Sequence, residues 1–176
     1  DEMEGIHARG NYDLTQHSKG SGKELTYQDG ETNKKFIPHI IESSGGVGRL
    51  FFAVLSDAYT EDEMGGEKRV YLKLRPNIAP IKAAVFPLLK NKPELVKKAK
   101  EVFAILNEEI QPMIFDDNGN IGKRYRRQDE IGTPFCIVVD FDTLTDNAVT
   151  VRDRDTGAQE RIKVTELIGF IKNKLD

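Results

Sequence analysis

Apolar positions along this chain follow two periods in turn, and each change of period marks a new element. Val47, Leu50, Phe51, Val54, Leu55 and Ala58 fall at i, i+3, i+4, i+7, i+8 and i+11, one face of a helix. Before them, residues 36–42 (FIPHIIE) predict a strand ending on an acid, while residues 1–35 are polar, with few runs able to form a core. Residues 69–74 (RVYLKL) alternate, which predicts a strand with Val70, Leu72 and Leu74 on its apolar face. Residues 83–89 form a second apolar segment, and Pro87 limits how far it can pair. Pro93 suits the first turn of a helix whose apolar stripe is Leu95, Val96, Ala99, Val102, Phe103 and Leu106. Residues 110–115 give the next strand.

Asp116-Asp117-Asn118-Gly119-Asn120 is turn chemistry, because Asn, Asp and Gly supply side-chain caps and positive φ. A short cationic helix follows and breaks at Gly132-Thr133-Pro134. Residues 135–139 (FCIVV) are apolar on both faces, as in a central strand covered on both sides. Residues 148–155 and 160–164, joined across Thr156-Gly157, read as a hairpin or as a strand and return. Val164, Leu167, Ile168, Ile171 and Leu175 mark a closing helix. The alternation of strand and helix predicts an α/β domain with a mixed, mainly parallel sheet and helices on its faces. Ligands of such sheets bind at the loops after the strands.

Charge divides the chain. Residues 1–68 carry seven Lys/Arg against thirteen Asp/Glu, whereas residues 69–176 carry nineteen against sixteen. The change coincides with a polar, Gly-containing stretch, so residues 1–62 and 69–176 are expected to be separate domains, with 63–68 as a linker. At 38% hydrophobic and 31% charged residues the composition is that of a polar globular protein. No apolar run approaches a membrane span and no leader is evident, so a cytoplasmic chain without a membrane partner is expected. Cys136, the single cysteine, reads as a small core residue in a reducing compartment.

Two stretches carry candidate chemistry. Ser43-Ser44-Gly45-Gly46-Val47-Gly48-Arg49 lies between a strand and a helix start, where backbone N–H groups favour an anion and Arg49 adds a fork of donors. A tight turn that needs glycine for sterics alone is the other reading. Lys123, Arg124, Arg126 and Arg127 put four cations in five residues, toward an anion or on a solvated helix face. Arg152 and Arg154 share a strand face and could meet RNA or pair with the adjacent helix. Asp129 and Glu130 read as capping groups and as partners of the arginines. Lys19-Gly20-Ser21-Gly22-Lys23 fails as a phosphate loop, because His17 stands at its first glycine and Glu24 at its Ser/Thr. His7, His17 and His39 have no metal-ligand spacing, so no metal site is expected.

Residues 122–135 (GKRYRRQDEIGTPF) resemble the signature of the anticodon-binding domain of class II glycyl-tRNA synthetases. So do residues 74–88 (LRPNIAPIKAAVFPL), 139–144 (VDFDTL) and 151–156 (VRDRDT). Residues 38–51 (PHIIESSGGVGRLF) are similar to motif 3 of the catalytic domain in its glycyl form, with Ser43 where the family usually has proline and Gly48 where many bacterial members have aspartate. The resemblance implies a five-stranded sheet flanked by helices that reads the anticodon loop of glycine tRNA. Before it would stand the last part of a class II catalytic domain, an antiparallel sheet remnant plus helix. It also implies that Glu42, Ser44 and Glu2 sit at the glycine pocket, that Arg49 contacts ATP, and that Lys123, Arg124, Arg126, Arg127, Arg152 and Arg154 face tRNA. In the full enzyme ATP and Mg2+ would serve glycine activation and a homodimer would form. With motifs 1 and 2 absent, the chain alone is expected to be inactive and to bind no cofactor. The alternative is a non-catalytic nucleic-acid-binding accessory module, which would have little use for Glu42, Ser44 and Arg49 together.

Overall fold

A computed structural model describes residues 2–175, which divide into two compact units, the first through Ser56 and the second from Asp57. The first unit is an antiparallel ribbon with helices around it. Strand β1 (Glu4–Gly10) leads into α1 (Tyr12–Ser21), and the short strands β2 (Tyr27–Gln28) and β3 (Lys35–Phe36) pair with each other. Strand β4 (Ile40–Gly45) returns beside β1, and α2 (Val47–Ala58) follows.

The strand read over residues 36–42 therefore begins later and runs through Ser43-Ser44-Gly45. The polar first 35 residues hold both a strand and a helix without a core: β1 is held by its ladder to β4, and the Arg9–Asp13 pair at 2.8 Å supports the start of α1. Helix α2 forms where its periodicity places it, but Val47, Leu50, Phe51 and Val54 are exposed. Ile6 and Ile41 are about three-quarters exposed as well, at 73% and 77%.

The second unit starts with a hairpin of β5 (Tyr59–Met64) and β6 (Glu67–Leu72). Residues 63–68, expected as a linker, form its tip. Gly65 and Gly66 have φ of 64° and 82°, so both centres of the two-residue turn are left-handed, the geometry that matches strand twist. A Gly-Gly pair in polar surroundings has the composition of a linker and of this turn alike. The expected apolar face is kept only in part: Leu74 is buried and Leu72 packs beside it, but Arg69 and Tyr71 are buried too, whereas Val70 is 44% exposed.

The remaining elements build the sheet. They are β7 (Ala83–Pro87), α3 (Pro93–Glu109), β8 (Met113–Phe115), α4 (Ile121–Glu130), β9 (Phe135–Val139), the single turn α5 (Thr143–Asp146), β10 (Ala148–Asp153), β11 (Gln159–Lys163) and α6 (Leu167–Leu175). The strand order is β11-β10-β9-β7-β8. Strand β7 is parallel to both β8 and β9, and the β10–β11 hairpin adds two antiparallel pairings. The sheet is thus mixed in equal measure, because the short β9–β10 and β10–β11 connections can only reverse the chain.

Ala83, Val85, Ile137, Val139, Val149 and Val151 pack against α3 and α6 on one face. Ala84, Phe86, Cys136 and Val138 pack beneath Ile121 and Tyr125 of α4 on the other. Two-sided burial explains the unbroken apolar runs of β7 and β9, where each large side chain contributes about 1.5–3 kcal/mol. Burial also pushes the Cys136 thiol up, which suits a core residue better than a nucleophile.

Candidate nucleic-acid interface

Helix α4 is started by Asn120, whose side chain accepts from the Lys123 N–H at 2.9 Å. The turn before it is braced by Asp116, which accepts from the Asn118 N–H at 2.9 Å. The four cations of this helix have different fates. Arg124 is 1% exposed and donates to the carbonyls of Pro87, Asn118, Asp117 and Gly119, stitching the end of β7 to the turn. It is a structural cation, not a surface one. Burial lowers its pKa, but from so high a starting value that the guanidinium stays charged.

Arg127 meets Asp116 at 2.6 Å with its side chain still 43% exposed. Arg126 donates to the Lys68 carbonyl at 3.0 Å and approaches Glu67 at 3.4 Å. Lys123 is exposed, and its ammonium has no protein partner among the described residues. Helix periodicity explains the division: Arg124 lies on the face that carries Ile121, Gln128 and the sheet contacts, and the other three do not.

Arg152 and Arg154 are also drawn inward and are buried. Arg152 forks onto Asp129 of α4 at 2.8 and 3.0 Å, with its guanidinium 4.8 Å from the Tyr125 ring. Arg154 donates to the Gly132 and Leu74 carbonyls at 2.7 Å each, and to Asp155 at 2.8 Å. Their donors are consumed within the unit. Asp129 accepts a second guanidinium, Arg69, at 3.2 Å, while Arg69 forks onto Asp62 at 2.8 and 2.6 Å. The Asp62 hydrogen bonds are the main reason why the Arg69 pKa is raised, against a burial cost. No motif points to Arg69. The only signal in the chain is that a strand with one apolar face also carries Arg and Tyr in alternation on the other.

A second network, also absent from the motif reading, ties β11 to the β9–β10 connection. Arg161 reaches Asp140 at 2.8 Å and Asp146 at 2.9 Å. The Arg161 hydrogen bond, helped by the Ala148 N–H, holds the Asp146 carboxyl at about 2. Burial works to raise Asp140, but the Arg161 and Thr143 hydrogen bonds outweigh it and the net shift is downward. An unfolded aspartate titrates near ~3.9, so these carboxylates stabilise the fold in full above that pH and lose their contribution as pH falls toward about 2. Urea unfolding between pH 6 and pH 2 should show stability declining in that acid window. Arg161→Ala should make the decline shallower, and parallel profiles for the two chains would rule the network out as its source.

In the first unit Glu42 and Ser44 share one face of β4, opposite His7 and Gly5 of β1. Arg9 approaches Glu42 at 3.3 Å. Arg49, in the first turn of α2, donates to the Glu2 carbonyl. The ribbon thus gathers Glu42 and Ser44 on one face, and Arg49 joins the start of α2 to Glu2. Among the described residues no group of three or more His, Cys, Asp or Glu could hold a metal.

Residues 82–174, the sheet with α3, α4 and α6, match the family described as anticodon binding domain. Over 99% of its length the chain is 53% identical to glycine–tRNA ligase of Chlorobaculum tepidum, of which it spans 37%. It is also 53% identical to the glycine–tRNA ligase of Thermobifida fusca, spanning 38%, and 50% identical to that of Clostridium tetani, spanning 37%. It therefore covers less than two-fifths of the length of these relatives. A mixed five-stranded sheet with a cation-bearing helix across one face, matched over more than half of the chain, makes this protein a member of the anticodon binding domain family.

Proposed function

We propose that the chain is the tRNA-reading portion of a glycine–tRNA ligase, preceded by part of its catalytic domain. The observation that carries this reading is the surface of α4, where Lys123 is exposed and Arg126 and Arg127 are half-buried at the rim, on a domain of the anticodon binding family. Single-stranded loops are held by backbone electrostatics and read by contacts to splayed bases, and these three cations supply the first requirement.

In a protein of the relatives' length, the first unit would contribute Glu42, Ser44 and Glu2 at the glycine pocket and Arg49 at the ATP phosphates. Carboxylates suit the substrate, since glycine has no side chain and its ammonium is the group left to hold. The Arg49 guanidinium fits a phosphate contact. The described residues gather no magnesium site, so Mg2+ is assigned to none of them. ATP would supply the adenylyl group that activates the glycine carboxyl, with pyrophosphate as the leaving group, and Arg49 would hold its phosphates. The exposed apolar residues of α2, β1 and β4 form the kind of patch that a larger body covers. We assign that body to the remaining catalytic domain, within a cytoplasmic homodimer, and expect no glycine activation from this chain alone. No helix among the described residues is long and apolar enough to cross a membrane.

Binding of the 176-residue chain to a glycine tRNA transcript across a salt series tests the reading. Replacing Arg126 and Arg127 with Ala should weaken binding and reduce the magnitude of the log–log salt slope by about one to two, as fewer counterions are released. An unchanged affinity and slope would return both residues to an ordinary solvated helix face.

A further inference from the structure

Helices α3 and α6 cover the sheet face opposite α4, but the cover ends short of the β10–β11 turn. The register pairs Phe135 with Asp153 and Val151 with Glu160, so these four side chains stand in two neighbouring rows on the α6 side. Above them are Phe170 and Lys174, one helical turn apart, with the ammonium 5.7 Å from the Phe170 ring. A recess of about 180 Å3 opens between these strands and the helix, and Thr156 and Ala158 of the turn close one end of it.

Apolar and charged groups are separated within it. Phe135 and Val151, each 3% exposed, make an apolar floor, and the half-buried Phe170 makes an aromatic wall. The rim carries two carboxylates and one ammonium. Asp153 Oδ1 accepts from the Thr156 N–H and the Thr156 hydroxyl at 2.9 Å each, which fixes the carboxylate and leaves its Oδ2 without a partner among the described residues. The turn itself is held by the Gly157 N–H on the Asp153 carbonyl at 3.0 Å and the Ala158 N–H on the Thr156 hydroxyl at 3.2 Å. Asp153 is thus in place before any ligand arrives, which lowers the ordering cost of binding. The side chains of Glu160 and Lys174 are exposed and make no ion pair among the described residues.

A phosphate does not fit, because it would meet two carboxylates over an apolar floor. A simple cation would satisfy the carboxylates but face Lys174 and leave the floor wet. A zwitterion with an apolar body uses every group present. A cavity of about 150 Å3 holds one benzene ring, so the recess takes a molecule of roughly that size. We propose that it binds a free α-amino acid with a branched aliphatic side chain, of the size of valine or leucine. The ammonium lies between Asp153 Oδ2 and Glu160, the carboxylate meets Lys174, and the side chain covers Phe135 and Val151 against Phe170. Glycine has no side chain for the floor to bury, so the site discriminates against it. The recess lies across the sheet from α4 and shares no residue with the tRNA reading, on which it does not depend.

The test is an amide NMR titration of the 176-residue chain with L-leucine. Glycine, 3-methylbutylamine and 4-methylpentanoate serve as probes that lack the side chain, the carboxylate and the ammonium in turn. Leucine should shift residues 135, 151, 153, 156–160 and 170–174 with a Kd of about 1 mM, and each of the other probes should bind about tenfold more weakly or less. Lys174→Met and Glu160→Gln change exposed positions and should stay folded. Lys174→Met should weaken leucine about tenfold without weakening the amine, and Glu160→Gln should weaken leucine and the amine without weakening the carboxylate probe. No shift at these residues with about 20 mM leucine, or equal shifts from glycine, would overturn the site. Native leucine affinity in both variants would overturn it too, since the rim charges would then play no part.

Discussion

An Asp129→Ala chain should lose about 3–5 kcal/mol of unfolding free energy, the range for breaking a buried ion pair from one side. Asp129 is 2% exposed and is the shared acceptor of Arg69 and Arg152, themselves 3% and 6% exposed. Its removal leaves the two guanidiniums unequally placed. Arg69 keeps Asp62 at 2.6 Å and the Arg154 carbonyl at 2.6 Å. Arg152 keeps only the Met64 sulfur at 3.3 Å and the Tyr125 ring. The cost therefore falls mainly on Arg152, a charge buried under α4 with no counterion. Removing that charge as well should help, since a buried pair can often be replaced by apolar groups at little cost. Asp129→Ala/Arg152→Met should be more stable than Asp129→Ala alone. Urea unfolding at pH 7 decides the matter: a loss below about 1 kcal/mol, as for an exposed pair, would show that the network does not hold the hairpin and α4 together.

The second expectation sets neighbouring cations against each other. Arg124→Ala should destabilise the domain by about 2–4 kcal/mol, because it orphans the buried Pro87 carbonyl, frees the turn carbonyls at 117–119 and opens a cavity beneath α4. Lys123→Ala, one residue away, should change stability by no more than about 0.5 kcal/mol. It should instead weaken RNA binding and reduce the magnitude of the salt slope by about one. Thermal unfolding and RNA titrations on both variants would separate the roles. Native stability for Arg124→Ala combined with weaker RNA binding would place that guanidinium at the surface after all.

Much of the second unit was legible because its rules are local. Pro93 opens α3, the Asp-Asn-Gly turn precedes α4, and Gly132-Thr133-Pro134 separates α4 from β9, as the chain order predicts. The double-sided apolar run of β9 announced a central strand, which it is, whereas Pro87 was expected to limit the pairing of β7, which is central as well and pairs through Pro87. The motif over 122–135 announced the anticodon binding family, since it names a backbone scaffold together with the side chains set on it.

Other features were hidden by the same reasoning. The alternation over 69–74 marked a strand and Leu74 is buried as expected, but Arg69 and Tyr71 are buried as well, Arg69 reaching Asp129 and the Arg154 carbonyl 60 and 85 residues away. A charge count in α4 could not separate Arg124 from Lys123, because they differ in the face that meets the sheet and not in residue type. In α2 the stripe was correct, yet it marks an uncovered surface and not a core. Periodicity reports that a face is apolar; what lies against it is a separate matter.

Element type, turn positions and family membership were therefore written in the linear chain, because dihedral preference, capping and period act over a few residues. Which arginines are buried, which stay near the surface, and where the sheet remains open were settled by folding. Those outcomes depend on long-range geometry: a buried guanidinium is tolerated only where carbonyls or a carboxylate from distant segments converge on it. Pro87, Asp129 and Asp140 come to such positions only once the sheet has closed around them.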